Sequence, residues 1–155
     1  MATTHQDGGG VVLSEDALRR IGLLDREQIE RQIRYIFDKW ARGDVAAMVD
    51  CLAADVVFPA NGFWTGVNAP VRGRPNVAKV LRDRSYTFEN IVSVLHEIII
   101  DGDRAVVHRT AVGRRRDTGR RYQSDFIDFF RFRDGLVVEF SEYPDAAWVE
   151  NDATI

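Results

Sequence analysis

Cys51 is the only cysteine among 155 residues, which excludes an intramolecular disulfide. A lone thiol in an apolar helical stretch fits a buried side chain in a reducing compartment, and the cytoplasm is the expected location. No apolar run approaches the ~20 residues that a membrane-spanning helix needs. The opening MATTHQDGGG lacks both the basic start and the apolar centre of a signal peptide, so residues 1–13 are expected to be a disordered tail. Residues 14–155 have the length of one domain with one core. A large excess of one charge sign is lacking too: a net charge of -3 gives no reason to expect nucleic-acid binding. No two of the three histidines have metal-ligand spacing, so no metal is expected. No glycine-rich loop follows a strand, and no serine- or cysteine-centred nucleophile motif occurs, so no cofactor is expected either.

What is present is patterned. Ser14 caps a short helix over Glu15–Ile21, with Gly22 as its stop. Asp25 opens a longer helix, with Gln28 completing a capping-box pattern. Ile29, Ile33, Ile36, Phe37 and Trp40 then recur at helical spacing as one apolar stripe. Gly43 ends that helix and Asp44 caps another, Val45–Leu52. Asp55–Phe58 reads as a strand stopped by Pro59. Ala60–Arg74 reads as a loop whose Phe63 and Trp64 fold over something. Pro75 suits the first turn of a helix reaching about Arg84.

From Phe88 the chain is strand: Phe88–Ile100, a turn at Asp101-Gly102-Asp103, Arg104–Arg116, a turn at Asp117-Thr118-Gly119, then two strands joined at Arg133-Asp134-Gly135. This order predicts an α+β fold with three helices packed on one face of a curved antiparallel sheet and a conical cavity between them.

The last two strands carry the chemistry. Alternation puts Tyr122, Ser124, Phe126, Asp128, Phe130 and Phe132 on one face, and Leu136, Val138, Phe140 and Glu142 on the next strand's face. Each face is apolar except for one carboxylate, and an unpaired buried carboxylate is costly. Asp128 and Glu142 therefore either lie in a pocket, reach solvent at a sheet edge, or pair with an arginine. On the preceding strand either Arg109 or His108 points inward, and the small neighbours Ala105, Ala111 and Gly113 favour Arg109. An inward Arg109 would keep one acid ionised; an inward His108 would act as a base near neutral pH. His96 reads as a hydrogen-bonded structural histidine.

Three stretches carry a family resemblance: WARGDVAAMVDCLAADVVF, the GRP opening the third helix, and GRRYQSDFIDFFRFRDGLVVEFSEYPD. Together they resemble the nuclear transport factor 2-like superfamily, most of all its SnoaL-like, ketosteroid-isomerase-related branch, over roughly Asp25 to Trp148. The resemblance implies a cone-shaped, cystatin-like α+β barrel. That scaffold serves isomerases, cyclases, dehydratases, epoxide hydrolases and non-catalytic binding modules. Steroid isomerases of this kind use a tyrosine, a base aspartate and an aspartate kept neutral in the oxyanion hole. Here only the last is kept, as Asp128, while Ile36 and Ala60 stand at the other two positions. Limonene-epoxide hydrolases use an Asp-Arg-Asp set with a tyrosine and an asparagine that position water. Arg109 and Glu142 match that set, while Ala111 replaces its other aspartate, and Phe58 and Ala60 replace the water-positioning pair.

The resulting expectation is a pocket for a hydrophobic, carbonyl-bearing small molecule, with acid–base proton transfer by Asp128, Arg109, Glu142 or His108. Tyr35, Phe58, Asn61, Trp64, Phe126 and Phe140 are expected to form its walls and mouth. The competing expectation is a ligand-binding or dimerisation module without turnover, in which the charged residues are a buried ion network. A homodimer through the outer sheet face is implied by the resemblance.

Overall fold

Helix α1 (Glu15–Arg20) starts where the Ser14 hydroxyl accepts the Ala17 amide at 3.2 Å. The computed structural model describes residues 14–20, 23–59 and 69–145. The expected tail over residues 1–13, the loop segment with Phe63 and Trp64, and Trp148 lie outside them. Helix α2 (Leu23–Ala41) buries Ile29, Ile33, Ile36 and Phe37, the face that the apolar spacing predicts. Helix α3 (Val45–Asp50) is capped by Asp44, whose Oδ1 accepts the Ala47 amide at 3.1 Å. It ends two residues earlier than expected because Leu52 already belongs to a strand, β1 (Leu52–Phe58). Cys51 is buried at the junction, its thiol donating to the Ala47 carbonyl at 3.3 Å. A two-residue strand, β2 (Val71–Arg72), and helix α4 (Arg74–Thr87) follow.

Four long strands complete the chain: β3 (Phe88–Asp101), β4 (Arg104–Arg115), β5 (Arg121–Arg133) and β6 (Leu136–Pro144). The β5–β6 hairpin turns on Asp134 and Gly135, both at positive φ (52° and 77°), as the two-residue turn of a twisted hairpin requires. The sheet order is β2-β1-β6-β5-β4-β3, and the helices pack on one face of this curved sheet. One pairing departs from the expected antiparallel sheet. Strand β1 runs parallel to β6, tied by the Val137 amide donating to the Cys51 carbonyl at 2.9 Å. The crossover through α4 and the antiparallel meander leaves the edge of β6 pointing the same way as β1.

A second departure lies within β6. Arg131 pairs with Glu139 but Phe132 pairs with Val137, so Val138 is an extra residue on β6. This bulge reverses the alternation, and Val137, not Val138, is fully buried. The expected inward set Leu136, Val138, Phe140, Glu142 is thus corrected to Val137, Phe140, Glu142. Val137, which plain alternation would put on the outer sheet face, turns inward instead. The core joins the α2 stripe to Ala105, Val107, Phe130, Phe132 and Val137. Phe37 meets Phe130 edge to face at 6.0 Å between ring centroids.

Candidate functional site

Inside this cone three charged side chains from adjacent strands converge. On β4 every second residue from Ala105 to Gly113 is buried, which carries Arg109 inward; β5 carries Asp128 inward by the same alternation. Asp128 pairs in register with Glu142 on β6. The Arg109 guanidinium bridges the two acids. Its Nε donates to Asp128 Oδ2 at 2.6 Å, and its Nη2 donates to Glu142 Oε2 at 2.5 Å and to Asp128 Oδ1 at 3.4 Å. Arg109 and Glu142 are 3% exposed and Asp128 is 0% exposed. The flat faces of the guanidinium are used as well, with the Phe37 and Phe126 rings 4.7 and 4.5 Å from its central carbon.

Burial governs the protonation of this group. It pushes the Glu142 carboxyl up from 4.5 to about 7, against the pull of Arg109 and helped by the charge of Asp128. Burial also raises Asp128, outweighing the charge and hydrogen bond of Arg109. Arg109 is held above the ordinary arginine value: burial pulls it down, and the charges of Asp128 and Glu142 more than restore it. The charge of Asp128 raises Glu142, so the protonation of the two acids is linked.

Glu142 and Arg109 line a small void whose remaining walls are apolar. Ile36, Phe37 and Trp40 of α2, Leu52 and Phe58 of β1, and Phe130, Val137 and Phe140 of the sheet form most of that wall. The void measures about 40 Å³, room for only a few waters. Trp40 and Phe140 are half-buried members of the lining. Asp128 lies behind this surface, in contact with Arg109.

Polar groups unforeseen in the sequence extend the cluster. Arg84 of α4 lies 3.7 Å from Glu142 Oε1, and burial lowers its pKa against the attraction of Glu142. Arg109 Nη1 donates to Ser93 Oγ at 3.4 Å, which accepts from Asn90 Nδ2 at 3.1 Å. Asn90 is buried, and its Oδ1 has no partner among the described residues. Arg84 carries no signal in the sequence, because it sits in a mostly polar helix.

Of the expected site residues, the fold brings together Asp128, Arg109, Glu142, Phe58, Phe126 and Phe140. Phe126 packs on Arg109, whereas Phe58 and Phe140 line the void with rings 5.2 Å apart. His108 is a correction. With Arg109 inward, alternation sends it to the outer face, where its side chain is 41% exposed and 3.7 Å from Asp125. Tyr35 is another: it is 45% exposed, beneath the Lys39 ammonium, and its neighbour Ile36 takes the pocket position. Asn61 and Trp64 lie outside the described residues.

Residues 33–140 match the family model of the SnoaL-like domain. No curated protein sequence matches the chain significantly. Among solved structures, a provisionally assigned isomerase from Bacillus subtilis is similar at 16% identity and a TM-score of 0.72, covering 80% of this chain and 91% of its own. An LEH-like epoxide hydrolase from M. tuberculosis is similar at 21% identity and a TM-score of 0.65, covering 78% and 85%. A provisionally assigned polyketide cyclase from Xanthomonas campestris is similar at 22% identity and a TM-score of 0.67, covering 81% and 96%. At these identities the likeness shows the fold.

Proposed function

The chain belongs to the SnoaL-like domain family, and on that premise we propose that it transfers a proton within a hydrophobic, carbonyl-bearing small molecule. The observation that carries this reading is Glu142: a buried carboxyl at an apolar void, held at about 7 beside a guanidinium. A group with that pKa is about equally able to give and take a proton at neutral pH. In the proposed step the Glu142 carboxylate removes a proton from the carbon beside the substrate carbonyl. The electron pair moves onto the carbonyl oxygen, and Arg109 stabilises the resulting oxyanion. Protonating Glu142 removes one of the two charges that hold Arg109, which turns the cation toward the new anion. Asp128 keeps Arg109 in place throughout. Glu142 then returns the proton at another position, as in an isomerisation, or the enolate attacks a second carbonyl within the molecule and Glu142 protonates the resulting alkoxide, as in a cyclisation.

Phe58 supports this over hydrolysis, since an apolar ring stands where the epoxide-hydrolase resemblance would require a water-positioning tyrosine. The isomerase and polyketide cyclase among the structural neighbours have names consistent with such chemistry. The test is exchange of α-protons into D₂O, followed by NMR across a panel of hydrophobic ketones. The expected result is catalysed exchange in the wild type that falls by roughly 10²–10⁴-fold in Glu142→Gln. Exchange that persists in that variant would refute the role of Glu142.

A second reading, a binding module without turnover, is favoured by the size of the void and by the full engagement of Arg109 with two acids. Ketones that bind without exchanging any proton would establish it. Under either reading we propose a homodimer through the outer sheet face, where Val94, Ile99, Ile127 and Tyr143 are exposed.

A further inference from the structure

The outer sheet face also carries a cluster that the proton-transfer reading does not use. His96 on β3, His108 on β4 and Asp125 on β5 each offer one donor atom, and the three atoms lie within 4.8 Å of one another. The two imidazoles are 4.9 Å apart between ring centroids. Thr110 sits among them, accepting from His96 Nε2 at 2.7 Å and donating to Asp125 Oδ1 at 2.5 Å.

The backbone is irregular where this cluster forms. Leu95 pairs with Arg109 but Glu97 pairs with His108, so His96 is an extra residue in β3. The irregularity lets His96 and Glu97 both leave the inward face, and it sets His96 beside His108. Bulges that re-aim a side chain in this way gather at functional sites.

From these positions we infer that His96, His108 and Asp125 bind a divalent late transition-metal cation of the zinc type. Two imidazole nitrogens and one carboxylate oxygen are a donor set that suits zinc and excludes magnesium or calcium as the preferred ion. Bonds of about 2.0–2.1 Å in a tetrahedral site place neighbouring donors about 3.3 Å apart. His108 Nε2 and Asp125 Oδ2 stand 3.7 Å apart, too far for a hydrogen bond and close to that spacing. His96 needs to turn from Thr110 toward the other two, which its exposed position permits. Thr110 remains on Asp125, fixing the carboxylate as an outer-shell partner does. Three protein ligands leave the fourth position open to solvent or to an exogenous ligand.

The site is read with cobalt(II), which reports tetrahedral coordination by visible absorption, titrated into chelator-treated full-length protein. The expected result is saturation at one ion per chain and competition by zinc. Affinity should fall at least about tenfold in His96→Ala, His108→Ala and Asp125→Asn, and stay unchanged in His5→Ala. Far-UV circular dichroism confirms that these surface variants remain folded. Absence of saturable absorption in the wild type, or affinity unaltered in both His96→Ala and His108→Ala, would overturn the assignment.

Discussion

Arg109 holds two acids with different tasks. Glu142 faces the void and Asp128 stands behind it, so the charge of Asp128 acts on Glu142 as well as on Arg109. Removing that charge in Asp128→Asn relieves one of the causes that raise Glu142. The Glu142 midpoint should then fall below about 7 while staying above 4.5, because burial remains. A pH profile of α-proton exchange reads this shift. Replacing Arg109 by Met leaves two buried acids without the cation between them. We expect a loss of roughly 3–5 kcal/mol at pH 8, measured by urea unfolding, and a smaller loss at pH 5, where protons neutralise the acids instead.

At the level of elements, β4 must pass close to Tyr122, and Gly113 makes that approach feasible. A Cβ at Gly113 would collide with the Glu89 carbonyl and with the Tyr122 ring and hydroxyl. Because a carbonyl of the neighbouring strand cannot yield as a side chain does, Gly113→Ala should cost about 1–3 kcal/mol in chemical denaturation. The same elements show what was legible beforehand. Alternation on β5 groups Asp128 with its apolar neighbours. On β4 it leaves Arg109 or His108, and the small neighbours Ala105, Ala111 and Gly113 favour Arg109. Helical spacing places Ile29, Ile33, Ile36 and Phe37. Alternation fails at Val138, where one inserted residue reverses the phase and sends Val137 inward. It fails again at His96. A bulge leaves no compositional trace in either strand. Arg84 was illegible for another reason: its helix is mostly polar, and only the tertiary position of α4 carries that arginine to Glu142. The parallel β1–β6 pairing likewise depends on long-range docking.

For the whole molecule, stability should fall as pH rises. The folded state keeps a proton on Glu142 up to about 7, whereas the unfolded chain releases it near 4.5. Within that window the folded state binds more protons, so each step up in pH favours unfolding. The displacement of Glu142 makes its share of the loss on the order of 3 kcal/mol between those limits, and Glu142→Gln should remove that share, leaving what the raised Asp128 contributes. Urea unfolding at pH 5 and pH 8 measures both. The outer face adds a prediction about assembly. Ile127 and Tyr143 are exposed there, 44% and 53%, and are register partners on adjacent strands. Light scattering at micromolar concentration should report a dimer, and Ile127→Asp should shift it to monomer.

The proposed proton transfer depends on a buried acid that holds its proton near neutral pH. Carbon-13 NMR of the Glu142 carboxyl, assigned by its loss in Glu142→Gln, follows that proton directly. The predicted midpoint is about 7. A Glu142 carboxyl already ionised at its ordinary 4.5 would contradict the account.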